Sequence, residues 1–147
     1  MPSASACNGI TASTTYPRVL VLGGTTEAST LCRLLASTKP AYHAVLSLAG
    51  ATSQPHLPNM ATRIGGFGGV DGLLHWLHHN RIDAVVDATH PFAAQMSHHA
   101  AVACTKARTP LLRLERPGWV PAPQDQWQMV PSIAKAAHIL AHAPPWN

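Results

Sequence analysis

The sequence predicts an α/β fold, a Rossmann-like doubly wound parallel sheet in three layers. Three observations predict it. Short apolar, β-branched runs alternate with amphipathic stretches of helical period. The first run, RVLVLG, passes through a Gly-Gly-Thr-Thr turn directly into a helix pattern. Three strand ends carry loops rich in glycine or in polar side chains, and in a parallel sheet all such ends share one edge.

The elements follow in order. Residues 1–17, MPSASACNGITASTTYP, lack the basic and apolar regions of a signal peptide. They read as a disordered leader, or as an extension from a start codon assigned too far upstream. Residues 18–23 form a buried strand. Ala28, Leu31, Cys32 and Leu35 then share one helix face, and Lys39-Pro40 ends that helix. HAVLSLAG (43–50) is a second strand, followed by the Pro- and Ser-rich loop ATSQPHLPNMAT. RIGGFGG (63–69) offers a very short strand and a glycine-dense turn. Val70, Leu73, Leu74 and Leu77 mark the next helix. IDAVVDATHPF (82–92) contains a third clear strand and a turn. Pro91 suits the first position of an alanine-rich helix running from about Phe92 to Ala107. TPLLRLERP (109–117) and QWQMV (126–130) read as further strands. Ser132 caps a last helix with Ile133, Ala136, Ala137 and Leu140 on one face.

Composition excludes several functions. Charged residues are 11% and apolar residues 46% of the 147, a globular rather than a disordered balance. The net charge of +4 comes from scattered Lys and Arg, so no nucleic-acid-binding stripe exists, while an anionic small ligand is suited. No apolar run is long enough to span a membrane. Cys7, Cys32 and Cys104 are an odd, widely spaced set, which argues for a reducing cytoplasm rather than a disulfide scaffold. Ten histidines raise the question of a metal, and His75 and His79 stand four residues apart. No HExxH, nearby carboxylate in motif spacing or paired cysteine accompanies them or His78, His98 and His99, so no metal is expected. Neither Tyr16 nor Tyr42 has a lysine four residues later, and no GxSxG is present, which argues against short-chain dehydrogenases and serine hydrolases.

The glycine–threonine turn carries the functional reading. Gly23 and Gly24 let a backbone approach an anion, the helix that follows offers unpaired N–H groups, and Thr25 and Thr26 add hydroxyls. This is the recipe for a diphosphate cradle; a plain helix-capping turn is the alternative. NAD sites place a carboxylate at the end of the second strand. No Asp or Glu occurs between Glu27 and Asp71, which favours NADP, with Ser47, Thr52 and Ser53 as donors to its 2′-phosphate. Phe67, within GGFGG (65–69), can pack on a cofactor ring. In DATHPFA (87–93), Asp87, Thr89 and His90 can face the crevice, and His90 can donate a hydrogen bond or proton near neutral pH.

Together VLVLGGTTEA (19–28), VLSLAGAT (45–52), IGGFGG (64–69), IDAVVDATHPFAAQMS (82–97) and PLLRLERPGW (110–119) resemble the precorrin-6A reductase and cobalt-precorrin-6A reductase family. The resemblance implies NADPH-dependent reduction of a macrocycle double bond, precorrin-6A to precorrin-6B, in cobalamin biosynthesis; the alternatives are a dinucleotide-binding module without catalysis and another NAD(P)-dependent oxidoreductase half. It implies a phosphate loop of Gly23, Gly24, Thr25, Thr26 and Glu27, with Ser47 and Gly50 near the adenosine ribose. Gly66, Phe67 and Gly68, with the Asp87–Phe92 turn including Ala88 and Thr89, would line the dinucleotide and the reaction edge. His90 and Phe92 would face an anionic, tetrapyrrole-derived substrate. The family's usual Arg after SLAG is Ala51 here, so Arg63 or a hydroxyl must substitute, or the NADP preference weakens. Family members are longer and carry a second α/β domain, which would complete the substrate site. Residues 18–143 are thus expected to be an NADP-binding domain, and 144–147 the truncated start of an interdomain connection.

Overall fold

The computed structural model describes residues 16–39, 41–50 and 60–142. They run β1 (Arg18–Leu22), α1 (Thr26–Ser37), β2 (His43–Leu48), β3 (Ala61–Ile64), α2 (Gly69–His79), β4 (Ala84–Asp87), α3 (Ala94–Ala107), β5 (Leu111–Arg113) and α4 (Ile133–Ala141). The chain divides into two compact units, the first ending at Arg116 and the second starting at Pro117. The first unit holds a five-stranded sheet in the order β3-β2-β1-β4-β5. Every neighbouring pair is parallel, so the fold is α/β and Rossmann-like. The strand order turns back beside β1, which puts a topological switch point at the carboxyl ends of β1 and β4.

Strand alternation builds the three layers. Leu20 and Leu22 of β1 pack with Leu73 and Leu77 of α2 and with Ala100, Ala103 and Cys104 of α3. Val19 and Val21 point the other way, onto Ala28 and Cys32 of α1 and beside Leu46 and Leu48 of β2. The small residues on the buried face of α3 let that helix lie close to α2 and the sheet.

Local chemistry sets the element ends. Thr25 is extended, and its hydroxyl accepts the Ala28 N–H at 3.1 Å, starting α1. Gly68 precedes α2 with φ 82°, a left-handed conformation that glycine adopts without penalty. Ser132 caps α4 by accepting the Lys135 N–H, as the sequence predicts. None of α4 is buried, and within the second unit Ile133 and Leu140 are exposed.

Three details differ from the expectation. Pro91 does not open α3, which begins at Ala94. Residues 90–93 instead form a turn, closed by Ala93 N–H donating to the His90 carbonyl at 2.8 Å. β3 starts at Ala61, ahead of RIGGFGG, because pairing with β2 extends the short strand backwards. Residues 126–130 are not a strand; no described strand pairs with them, and an unpaired extended segment leaves its backbone groups without a ladder. The proposed leader, except Tyr16 and Pro17, and residues 144–147 lie outside the described residues. Among those described, no helix is long and apolar enough to cross a membrane.

Leu20 is fully buried between the sheet and its helices. Leu20→Ala is expected to lower stability by about 3–4 kcal/mol. Leu112→Ala, at a position 65% exposed, is expected to change it by less than about 0.5 kcal/mol. Urea denaturation midpoints of the two variants check both.

Candidate functional site

One register row organises the carboxyl edge of the sheet. Arg63 of β3, Ser47 of β2, Leu22 of β1, Asp87 of β4 and Arg113 of β5 are Cα partners across four parallel pairings. Each arginine at the ends of the row bonds the polar residue next to it. The loops that follow these strands enclose a crevice of about 240 Å³.

The β1–α1 turn forms its nearest wall. Gly23 N–H donates to the Ser47 carbonyl at 2.9 Å, extending the ladder past the strand. A Cβ there would lie 2.5 Å from Leu46 Cδ1, so any larger residue would force the buried Leu46 side chain to shift. Gly24 has φ 123° and open space beyond it. Thr25 Oγ1 donates to the Ala88 carbonyl at 2.8 Å, and Ala88 N–H donates to the Leu22 carbonyl at 2.9 Å. These bonds tie the turn after β1 to the turn after β4.

Asp87 shapes that second turn from below. Its carboxylate is buried, accepts from Thr89 N–H at 3.1 Å and Thr89 Oγ1 at 2.7 Å, and pairs with Arg113 Nη1. Arg113 Nη1 also donates to Ser97 of α3, and its Nε meets Glu115. Burial by itself would raise the Asp87 pKa. Hydrogen bonds from Thr89 and Ser97 and the Arg113 charge outweigh burial and hold it below the ordinary carboxylate value. Beyond this lock the exposed His90 lines the crevice. Its Nδ1 accepts the Phe92 N–H at 3.3 Å, which leaves the proton of the neutral ring on Nε2.

Arg63 gathers the glycine loop on the far side. Nη1 donates to Ser47 Oγ and to the Gly65 carbonyl, each at 2.9 Å, and Nη2 donates to the Gly66 carbonyl at 3.0 Å. The guanidinium carbon stands 3.7 Å from the centre of the Phe67 ring, whose edge meets Trp76. Partial burial lowers the Arg63 pKa from its high ordinary value, and an arginine stays charged. A Cβ on Gly72 would fall 1.8 Å from the Phe67 carbonyl oxygen, so the first turn of α2 is pressed directly against this loop.

The structure brings most, but not all, of the expected residues together. Gly23, Gly24, Ser47, Gly66, Phe67, Thr89 and His90 line the crevice, and Gly68 borders a second recess beside α3. Asp87 and Ala88 are buried beneath the turn rather than facing the crevice, because their polar groups are consumed by the lock. The Thr25 hydroxyl is likewise occupied by its cap and its tie. Thr26 sits exposed in the first turn of α1. Glu27 is drawn onto Arg116 at 2.7 Å, and that hydrogen-bonded contact lowers its pKa. Phe92 is largely exposed against His90. Gly50, at φ 95°, does not line the crevice; a Cβ added there would stand 3.4 Å from Ile64 Cγ2. Thr52 lies outside the described residues. Sequence reasoning missed Leu22, Leu48, Ala49, Ala93 and Met96 as lining residues. It also missed Gly72, although an isolated glycine within a helical pattern signals close packing. Among the described residues no three His, Cys, Asp or Glu side chains are grouped to hold a metal ion.

Two predictions follow from this geometry. Because the folded state holds Asp87 below its unfolded pKa, its contribution is complete above about pH 5 and fades as pH falls through 4 toward the folded value. Asp87→Asn is therefore expected to cost about 2–4 kcal/mol at pH 7 and to flatten the acid limb of stability against pH. Gly72→Ala is expected to cost at least about 1–3 kcal/mol by displacing the Phe67 carbonyl. Chemical denaturation across pH 3–8 measures both, with about pH 4 as the diagnostic region.

The site's setting matches known proteins. Residues 18–143 match the family model described as "Precorrin-6x reductase CbiJ/CobK". The chain is 51% identical over 124 residues to the precorrin-6A reductase of Sinorhizobium sp., covering 84% of this chain and 47% of that protein. It is 48% identical over 127 residues to the precorrin-6A reductase of Rhodobacter capsulatus, covering 86% and 50%. The solved structure titled CobK precorrin-6A reductase superposes with a TM-score of 0.76 at 47% identity, covering 87% of this chain and 49% of that one. The chain thus spans about half the length of these relatives, and it belongs to the CbiJ/CobK precorrin-6x reductase family.

Proposed function

We propose that this chain forms the dinucleotide-binding half of an NADPH-dependent precorrin-6A reductase in cobalamin biosynthesis. The observation that carries this reading is the Thr25–Ala88 tie, which holds a glycine turn and a histidine-bearing turn side by side at the switch point of the sheet. The residues present suit a dinucleotide. Gly24 and Gly66 border space in which an added Cβ would meet nothing within 4 Å, and no crevice-lining residue carries a carboxylate to repel phosphate. The first turn of α1 adds N–H groups that the helix itself does not use.

Bound NADPH supplies the hydride for a double bond of the macrocycle. The chain's own residues hold and orient. In this reading the Gly23–Thr26 turn takes the pyrophosphate through main-chain amides. Thr25 and Glu27 act by building that turn rather than by touching the phosphates, and Asp87 and Ala88 support the Thr89–His90 wall. His90 offers Nε2–H toward an acidic tetrapyrrole-derived substrate, and the mildly basic chain favours such an anion. The part of the relatives beyond this chain's span would complete the substrate site. The buried thiols of Cys32 and Cys104 accord with a reducing cytoplasm.

Fluorescence titration of the purified chain with NADPH and NADH tests the reading. Binding of NADPH in preference to NADH, without conversion of precorrin-6A by this chain alone, is the expected result. No measurable affinity for either dinucleotide would remove it. Gly66→Val is expected to weaken NADPH binding at least about tenfold by filling the crevice, with stability held within about 0.5 kcal/mol.

A further inference from the structure

The cations along the carboxyl edge are unequal. Arg113 is paired with Asp87 and Glu115, and Arg116 with Glu27. Arg63 has no such partner. All six Asp and Glu residues of the chain lie among the described residues, and none stands within ion-pair distance of Arg63. Among the described residues its contacts are neutral: one hydroxyl, two carbonyls, the Phe67 ring and, farther off, the Trp76 ring. Those three hydrogen bonds use three of its five N–H groups, leaving Nε–H and one Nη2–H without a partner among the described residues.

Its position gives that surplus a direction. Arg63 neighbours Ser47 in the sheet register, at the carboxyl end of β2. In a sheet of this strand order the end of the second strand is where the adenosine ribose of a dinucleotide rests. A carboxylate there binds the ribose hydroxyls of NAD, whereas an arginine accepts the 2′-phosphate of NADP. Ser47, Gly65, Gly66 and Phe67, which Arg63 touches, line the crevice, and Arg63 itself stands just outside that lining, 5.9 Å from the Trp76 ring on its other contact. The guanidinium is held by two loop carbonyls and stacked on Phe67, so little of its freedom remains to be lost on binding.

We infer that Arg63 is the specificity-determining residue of this site, an unneutralised guanidinium that selects a 2′-phosphorylated adenosine. The inference rests on the dinucleotide reading above and adds the group that distinguishes the two nicotinamide cofactors. Phosphate supplies a dianionic acceptor for the two spare donors, and a ribose hydroxyl does not.

The test uses the 147-residue chain with adenosine 2′,5′-bisphosphate and AMP as competitors of NADPH fluorescence, and compares Arg63→Gln and Arg63→Lys. Wild type is expected to prefer the bisphosphate at least about tenfold. Arg63→Gln can still donate to a loop carbonyl; it is expected to lose that preference, its affinity for the bisphosphate falling about tenfold further than its affinity for AMP. Arg63→Lys keeps the charge but not the planar fork and should fall between. Thermal midpoints of both variants establish that the loop stays folded. If Arg63→Gln weakened both nucleotides equally, Arg63 would be an anchor of the glycine loop only, and the inference would fail. Equal binding of the two nucleotides by wild type would also overturn it while leaving the dinucleotide site intact. Failure of wild type to bind NADPH, NADH and both nucleotides would overturn the underlying reading and this inference together.

Discussion

Parallel pairing sends every strand of a sheet in the same direction, and everything built at this site depends on that ladder being in register around Leu22. Its Cα partners are Ser47 on one side and Asp87 on the other, and theirs are Arg63 and Arg113. A shift of one residue in any strand would turn that strand's side chain to the opposite face. The register is held by burial. Leu20 and Leu22 fill one core, Val19 and Val21 the other, and no shifted arrangement satisfies both layers.

Above this row, polar groups are spent unevenly. Under the β4–α3 turn, Asp87, Thr89, Ser97 and Arg113 satisfy one another in a cluster buried at Asp87 and Thr89 and open at Arg113, and it sets backbone shape. Under the glycine loop, Arg63 performs the same shaping with carbonyls and an aromatic ring, and its charge stays unopposed. The two flanks therefore present different electrostatics to the crevice between them. One is internally neutralised and ends in His90; the other keeps a positive group beside the end of β2. Glycines at 23, 24, 65 and 66 keep the space between them open and bring backbone close to whatever enters.

Much of the fold could be read from residue order. Strand and helix periods, the Thr25 and Ser132 caps, and the loops at 23–26, 65–69 and 87–90 all arise from local chemistry that the sequence displays directly. Failures occurred where a local signal competed with a distant partner. Pro91 is a good helix starter, yet the turn through His90 and Ala93 took the chain first. QWQMV has strand composition without a neighbouring strand. At the site, hydroxyls and carboxylates looked like ligand contacts because their residue types suit ligands. Thr25, Glu27 and Asp87 are instead bound to Ala88, Arg116 and Arg113, far away in sequence.

The sequence by itself determined the class of architecture, the alternation of elements and the three loops in which a ligand site could lie. Periodicity, caps and glycines are properties of neighbouring residues, and that explains why they were visible. Tertiary structure alone decided which polar side chains remain available. That depends on pairing between residues up to 89 positions apart, as in the Arg116–Glu27 contact, and on which charge is left without a partner once the pairs have formed. Glu115 stands two residues from Arg113 in the sequence, but only the folded register sets Arg113 beside the buried Asp87 and Arg63 beside a hydroxyl.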